Sequence, residues 1–224
     1  MFDAIARRYD FLNHFLSAGI DRRWRRQAVQ SLRLTGSERV LDLCTGTGDL
    51  AIALRTANPG AARIVGVDFA GAMLDVGLEK LRRRGLADRI DLVRGDAMHV
   101  PLPDGSSDAA TIAFGIRNVE DPSAACREIL RVLVPGGRLA ILEFAVPSSP
   151  VFRALYMFYF KHVLPLLGRL ISRHDAAYDY LPASVGAFAS PVEFAKLLRG
   201  AGFAEVSMQA LTMGAVVLYG ARKP

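Results

Sequence analysis

The chain has 224 residues, 51% of them hydrophobic and 22% charged, with a formal net charge of +6. That composition supports one sizeable core, excludes wholesale disorder, and leaves too little length for a second full domain. Its two cysteines, Cys44 and Cys126, form no disulfide framework and have no metal-ligand spacing, so a reducing, cytoplasmic setting without a metal is expected.

Asp3–Leu34 reads as helices, with Trp24 set among Arg22, Arg23, Arg25 and Arg26. The opening MFDAIARRYD lacks the apolar stretch of a secretory signal. Arg39–Cys44 is a short apolar run, predicted as the first strand. The glycine turn of VLDLCTGTGDLA follows, then a helix marked by Leu50, Ala53, Leu54 and Ala57. Arg63–Asp68 is the second strand, and the next helix carries Leu74, Leu78 and Leu81 on one face. Arg89–Arg94, Asp108–Phe114 and Arg138–Phe144 are the third to fifth strands. A helix over Pro122–Leu133 precedes the last of these and is stopped by Pro135-Gly136-Gly137. Val151–Ser172 is long enough to span a bilayer, but Arg153, Lys161, His162, Pro165 and Arg169 interrupt it. A buried or interfacial helix is expected there instead. Pro191–Arg199 predicts a final helix. Ala204–Ala210 and Ala215–Ala221 are joined closely enough for a hairpin, hence an antiparallel edge. Strands alternating with helices imply a parallel, doubly wound sheet.

Gly46, Gly48 and Ala51 fit the dinucleotide pattern G-x-G-x-x-[GA], so an NAD-type ligand has to be weighed. In such sheets ligands lie at the carboxyl ends of the strands. Asp42 stands just before the turn and Asp49 directly after its second glycine. Each would repel a pyrophosphate, by about 4 kcal/mol per pair at about 4 Å and an effective dielectric of about 20. S-adenosylmethionine, with a cationic ammonium and sulfonium, suits the same acids. The alternative for Asp49 is a cap on the following helix. Asp68, ending the second strand, can accept the ribose hydroxyls of either cofactor. Asp96, ending the third, can accept from the adenine amine with Ala97 and Met98 against the ring, or else close an Asx-type turn.

LDLCTGTGDLA, GVDFAGAML, GDAMHVPLPDGSSD, FGIRNVED and RVLVPGGRLAILEF together resemble the ubiquinone/menaquinone biosynthesis C-methyltransferases. The resemblance extends to MFDAIARRYDFLNHFLSAGIDRRWR at the front and AAYDYLPASVGAF later, and so covers nearly the whole chain. It implies an α/β, Rossmann-like class I methyltransferase fold. The seven-stranded sheet would end in an antiparallel strand, with N-terminal helices and a helical insert after strand 5. The family's cofactor contacts fall on Thr47, Asp68 and the Asp96–Ala97 pair. Where the family often has a serine before FGIRN, this chain has Ala113, which leaves only a backbone contact. One domain is expected: a helical cap (1–35), a cofactor-binding core (36–146), an insert facing substrate and membrane (147–190), and a terminal helix with hairpin (191–224).

Methylating a ring carbon needs an electron-rich ring, such as a hydroquinone with one hydroxyl ionised, held at near-attack distance. Arg117 is expected to stabilise the phenolate and Asn118 to orient a ring oxygen or water. Spacing alone instead makes Arg117 a surface residue or pairs it with Glu120 or Asp121. His14 and His99 are weaker candidates for the base, and Tyr178 and Tyr180 for the substrate wall. The implied partners are a prenylated quinol and, through the apolar insert and the arginines around Trp24, an anionic membrane surface. A homodimer stays open. No nucleic acid is expected, since acids at the strand ends do not make a strand-binding groove. The remaining alternatives are an S-adenosylmethionine-dependent methyltransferase of another small hydrophobic acceptor and a non-catalytic methyltransferase-like scaffold.

Overall fold

The computed structural model describes residues 17, 19–61, 63–159 and 183–224. His14, Tyr178, Tyr180 and the insert beyond residue 159 lie outside the described residues.

Helix α1 (Ile20–Ser31) is followed by β1 (Arg39–Leu43), α2 (Asp49–Ala57), β2 (Arg63–Asp68) and α3 (Gly71–Arg83). Then come β3 (Ile90–Arg94), β4 (Ser107–Ala113), a short 3-10 turn (Ile116–Asn118), α4 (Pro122–Val132) and β5 (Leu133–Phe144). After α5 (Pro150–Phe158), the chain resumes with α6 (Pro191–Gly200) and the strands β6 (Ala204–Leu211) and β7 (Val216–Arg222). The sheet has seven strands in the order β3-β2-β1-β4-β5-β7-β6. Strands β1 to β5 pair in parallel, while β7 runs antiparallel to both β5 and β6.

Successive strand residues face opposite ways, so both faces of a parallel sheet need covering and its strands read as nearly continuous apolar runs. Leu41, Leu43, Val65, Val67 and Ile112 pack with Ile129 of α4 and Phe194 of α6 on one face. Val40, Ile64, Ala140 and Leu142 pack with Trp24 of α1, Leu54 of α2 and Leu81 of α3 on the other. The starts of two helices are set by local chemistry. Asp121 caps α4 by accepting the Ser123 and Ala124 N–H groups, with Pro122 in the first turn, and Ser190 with Glu193 forms a capping box on α6.

The expected hairpin forms the antiparallel edge of the sheet, with β7 slotted between β5 and β6 and β6 outermost. One expectation is corrected: Pro135-Gly136-Gly137 does not end the helix, which stops at Val132. Strand β5 starts directly after α4 and runs through these residues, with the Gly136 N–H bonded to the Lys223 carbonyl and the Lys223 N–H to the Gly137 carbonyl. Among the described residues, no helix is long and apolar enough to cross a membrane.

Candidate cofactor and acceptor site

The strand order reverses between β1 and β4, and a pocket of about 430 Å³ opens at the carboxyl ends there. Each of β1 to β4 contributes to its wall: Leu43 and Cys44 after β1, Asp68 and Phe69 after β2, Gly95 to Met98 after β3, and Ala113 to Gly115 after β4. Asn118, Val119 and Glu120 complete one side, and Met73 of α3 another.

The backbone is shaped for close approach. Gly46 and Gly48 sit at φ 57° and 79°, in the left-handed region that glycine enters without strain. Gly115 lies so close to Cys44 that an added methyl would overlap the Cys44 side chain. Cys44 is itself left-handed at φ 55°, and burial followed by the nearby carboxylates raises its thiol pKa, so it stays protonated and inert.

Asp68 ends β2 as expected and lines the pocket. One carboxylate oxygen accepts the Gly46 N–H at 2.7 Å and the other the Ala70 N–H at 2.9 Å, so this side chain joins the glycine turn to the start of α3. Asp96 also lines the pocket while its carboxylate closes an Asx-type turn to the Met98 N–H at 2.8 Å. Gly46, Ala97, Ala113 and Asn118 line it too.

Asp42, Thr47, Gly48 and Arg117 do not line it. Asp42 is buried behind the turn, its two oxygens accepting the hydroxyls of Thr45 at 2.6 Å and Thr111 at 2.8 Å. Burial pushes its pKa up to about 6, against the pull of those hydroxyls and of Arg25. The Thr47 hydroxyl faces Lys80 Nζ at 3.0 Å, and Gly48 serves as N-cap of α2. Asp49 makes no side-chain cap on α2 and does not line the pocket. Its carboxylate pairs with Lys80 at 2.8 Å and stands 3.7 Å from Arg25. Arg25 is itself buried against Asp21. The two acids that sequence reading set against a pyrophosphate are thus one neutralised and one withdrawn.

The sign of the pocket survives on other residues. Its wall carries three carboxylates, Asp68, Asp96 and Glu120, and among the described residues no Lys, Arg or His. In a chain of net charge +6, an acidic concavity of this kind favours a cationic ligand over a phosphate. S-adenosylmethionine fits that donor set: carboxylates for its hydroxyls, amine and positive charges, and an apolar strip from Met73, Phe69 and Met98. Glu120 escaped sequence reading as a wall residue because it lies two positions beyond Asn118 on an irregular turn, where no periodicity indicates direction.

Arg117 pairs with neither Glu120 nor Asp121. Its partner is Glu143 near the end of β5, at 2.8 Å.

The ubiE/COQ5 methyltransferase family model matches residues 1–223. The ubiquinone/menaquinone biosynthesis C-methyltransferase of Geotalea daltonii is 45% identical over 223 residues, covering 100% of this chain and 94% of that protein. The demethylmenaquinone methyltransferase of Thermus thermophilus is 47% identical over 224 residues, covering 100% of both. Among solved structures, a SAM-dependent methyltransferase from Aquifex aeolicus superimposes with a TM-score of 0.65 at 18% identity, covering 89% of each chain. The [4+2]-cyclase SpnF gives 0.69 at 22% identity, covering 91% of this chain and 80% of that one. A fold that also serves a cyclase shows architecture and leaves the chemistry to the site.

Proposed function

The chain belongs to the ubiE/COQ5 methyltransferase family, and from that premise we propose that it methylates a ring carbon of a prenylated hydroquinone such as demethylmenaquinol, using S-adenosylmethionine. The observation that carries the cofactor assignment is the pocket wall with three carboxylates and, among the described residues, no basic side chain. The quinol is supported by the relatives from Geotalea daltonii and Thermus thermophilus, aligned over the full chain.

S-adenosylmethionine, when bound, supplies a methyl group already activated by its sulfonium. The residues of the chain hold, orient and exclude water. Asp68 would accept the ribose hydroxyls and Asp96 the adenine amine, with Ala97 and Met98 supplying the wall beside them. Gly46 presents its backbone at φ 57°, a left-handed conformation in which a side chain would be strained. Ala113 and Gly115 leave the carboxyl end of β4 open, so that acceptor and methyl donor meet at near-attack distance. Asn118, on the wall beside them, orients a ring oxygen or a water that takes the phenolic proton. The apolar insert receives the prenyl tail, and the chain works peripherally at an anionic membrane surface, where such quinols dissolve.

Incubation with S-adenosylmethionine and each reduced, prenylated quinone, followed by mass spectrometry, tests this directly. A methyl gain on the ring is expected. Calorimetric titration with NAD and S-adenosylmethionine in parallel should show heat only for the latter, and tight NAD binding would sink the assignment.

A further inference from the structure

The Arg117–Glu143 pair has no part in the mechanism so far. Their side chains are 6% and 0% exposed. Glu143 Oε1 accepts from Arg117 Nη1 at 2.8 Å and from the Phe144 N–H at 2.8 Å, and Oε2 accepts from the Arg117 N–H at 3.3 Å. The guanidinium is held elsewhere as well. Nη1 donates to the Phe114 carbonyl at 2.6 Å, Nε to Ser184 Oγ at 3.3 Å, and the cation sits 5.4 Å from the Phe144 ring centroid.

The turn that this pair grips is an unusual one. Phe114 lies at φ 59°, a conformation a bulky side chain keeps only where its surroundings over-determine it. Phe114, Gly115, Asn118, Val119 and Glu120 all line the cofactor pocket, while Arg117 among them does not. The wall faces one way and its anchor the other. Replacing a buried ion pair by apolar residues is often neutral or stabilising, so its presence is weak evidence of a purely stabilising role.

We propose that Glu143 is a positioning residue for methyl transfer: through Arg117 it holds the Phe114–Glu120 turn, and with it Asn118, in the geometry the acceptor requires. The inference rests on the methyl-transfer reading of the site. It also reassigns Arg117, which shapes the wall from behind and does not touch the phenolate. Through Ser184 the same guanidinium ties the end of β4 and the end of β5 to the helical turn at 183–187.

Glu143→Gln keeps the size and an acceptor oxygen but removes the charge that holds Arg117. With reduced prenylated quinone as acceptor, kcat is expected to fall about 10- to 100-fold. The Kd for S-adenosylmethionine should stay within about threefold, and the melting transition should stay cooperative. Arg117→Met and the double variant should lose no more than Glu143→Gln does, because residues acting as a unit are non-additive. Arg117→Lys should recover part of the loss. A Glu143→Gln variant with wild-type kcat overturns the proposal, and so does an Arg117→Met loss far exceeding that of Glu143→Gln, which would mark direct contact with the acceptor. Should a single variant fail to fold, the double variant leaves no unpaired buried charge and carries the test: wild-type kcat there overturns it equally. Wild-type enzyme runs alongside. If it methylates no quinol, the functional reading falls and this inference with it; if it does while the variants match it, only this inference falls.

Discussion

Asp42 is a buried carboxylate whose ionised form opposes folding. Its ordinary pKa is 3.8 and burial lifts it to about 6 in the folded chain. Between those values the folded state holds a proton that the unfolded state has lost. The contribution of Asp42 to stability is therefore greatest below about 3.8 and declines as pH rises through 6. Asp42→Asn can keep partners in Thr45 and Thr111 and removes the penalty. It should stabilise the protein at pH 7.5, by on the order of 3 kcal/mol at most, with the gain shrinking toward pH 4 in chemical denaturation. Binding a cation asks for the ionised form. Wild-type affinity for S-adenosylmethionine should rise from pH 5.5 to 7.5, and that of the variant should stay flat; an equal rise in both would remove Asp42 from cofactor binding. At this scale the sequence is legible where a strand end sets direction, as at Asp68 and Asp96. It is not legible where a partner is remote: Thr111 lies 69 residues from Asp42, Lys80 31 from Asp49, and Glu143 26 from Arg117. Proximity in the chain therefore nominated Glu120 and Asp121 for Arg117, whereas Asp121 is engaged in capping α4.

Elements meet the pocket most tightly where the end of β1 touches the end of β4, and the contact point is Gly115 against Cys44. A Gly115→Ala methyl has nowhere to go without moving one of these two walls. It should weaken S-adenosylmethionine binding at least tenfold by calorimetry. Because Cys44 is already left-handed, Gly is conformationally suited to its place, and Cys44→Gly in the same chain should restore most of the affinity. Failure of that rescue, with both variants folded, would place the defect elsewhere. Nearby, Trp24 of α1 packs on Phe114 and Phe144 at centroid distances of 5.9 and 6.2 Å and donates to Thr212 Oγ1 at 2.8 Å. One indole thus joins the N-terminal helix to β4, β5 and the β6–β7 connection. The alternation of elements is readable because apolar periodicity is local and the glycine and proline breaks are sharp. The insertion of β7 between β5 and β6 is not: a hairpin signal says that two strands pair, and is silent on which one faces the existing sheet.

At the scale of the whole molecule, the exposed arginines of α1 lie outside the pocket wall, and the proposed membrane contact turns on them. Arg22, Arg23 and Arg26 are exposed on α1, whereas Arg25 is withdrawn against Asp21 and Asp49 and cannot serve a headgroup. Helix α5 carries Val151, Leu155 and Phe158 at 68%, 60% and 60% exposure, soon after Phe144, on which Trp24 of α1 packs. Cations and apolar side chains near one end of a sheet are what an interfacial protein needs. At about 1 kcal/mol per basic residue near an anionic surface, three arginines contribute on the order of 3 kcal/mol, about a hundredfold in partitioning. The screening length shrinks from about 30 Å at 0.01 M salt to about 3 Å at 1 M, so this share disappears with salt while the apolar share does not. The protein should therefore float with vesicles containing anionic lipid at low salt and largely leave them at about 0.5 M. Replacing Arg22, Arg23 and Arg26 with Gln should abolish the salt dependence, and Leu155→Ser with Phe158→Ser should weaken flotation at both salt levels. Absence of flotation at low salt would confine the enzyme to quinols that leave the bilayer to reach it.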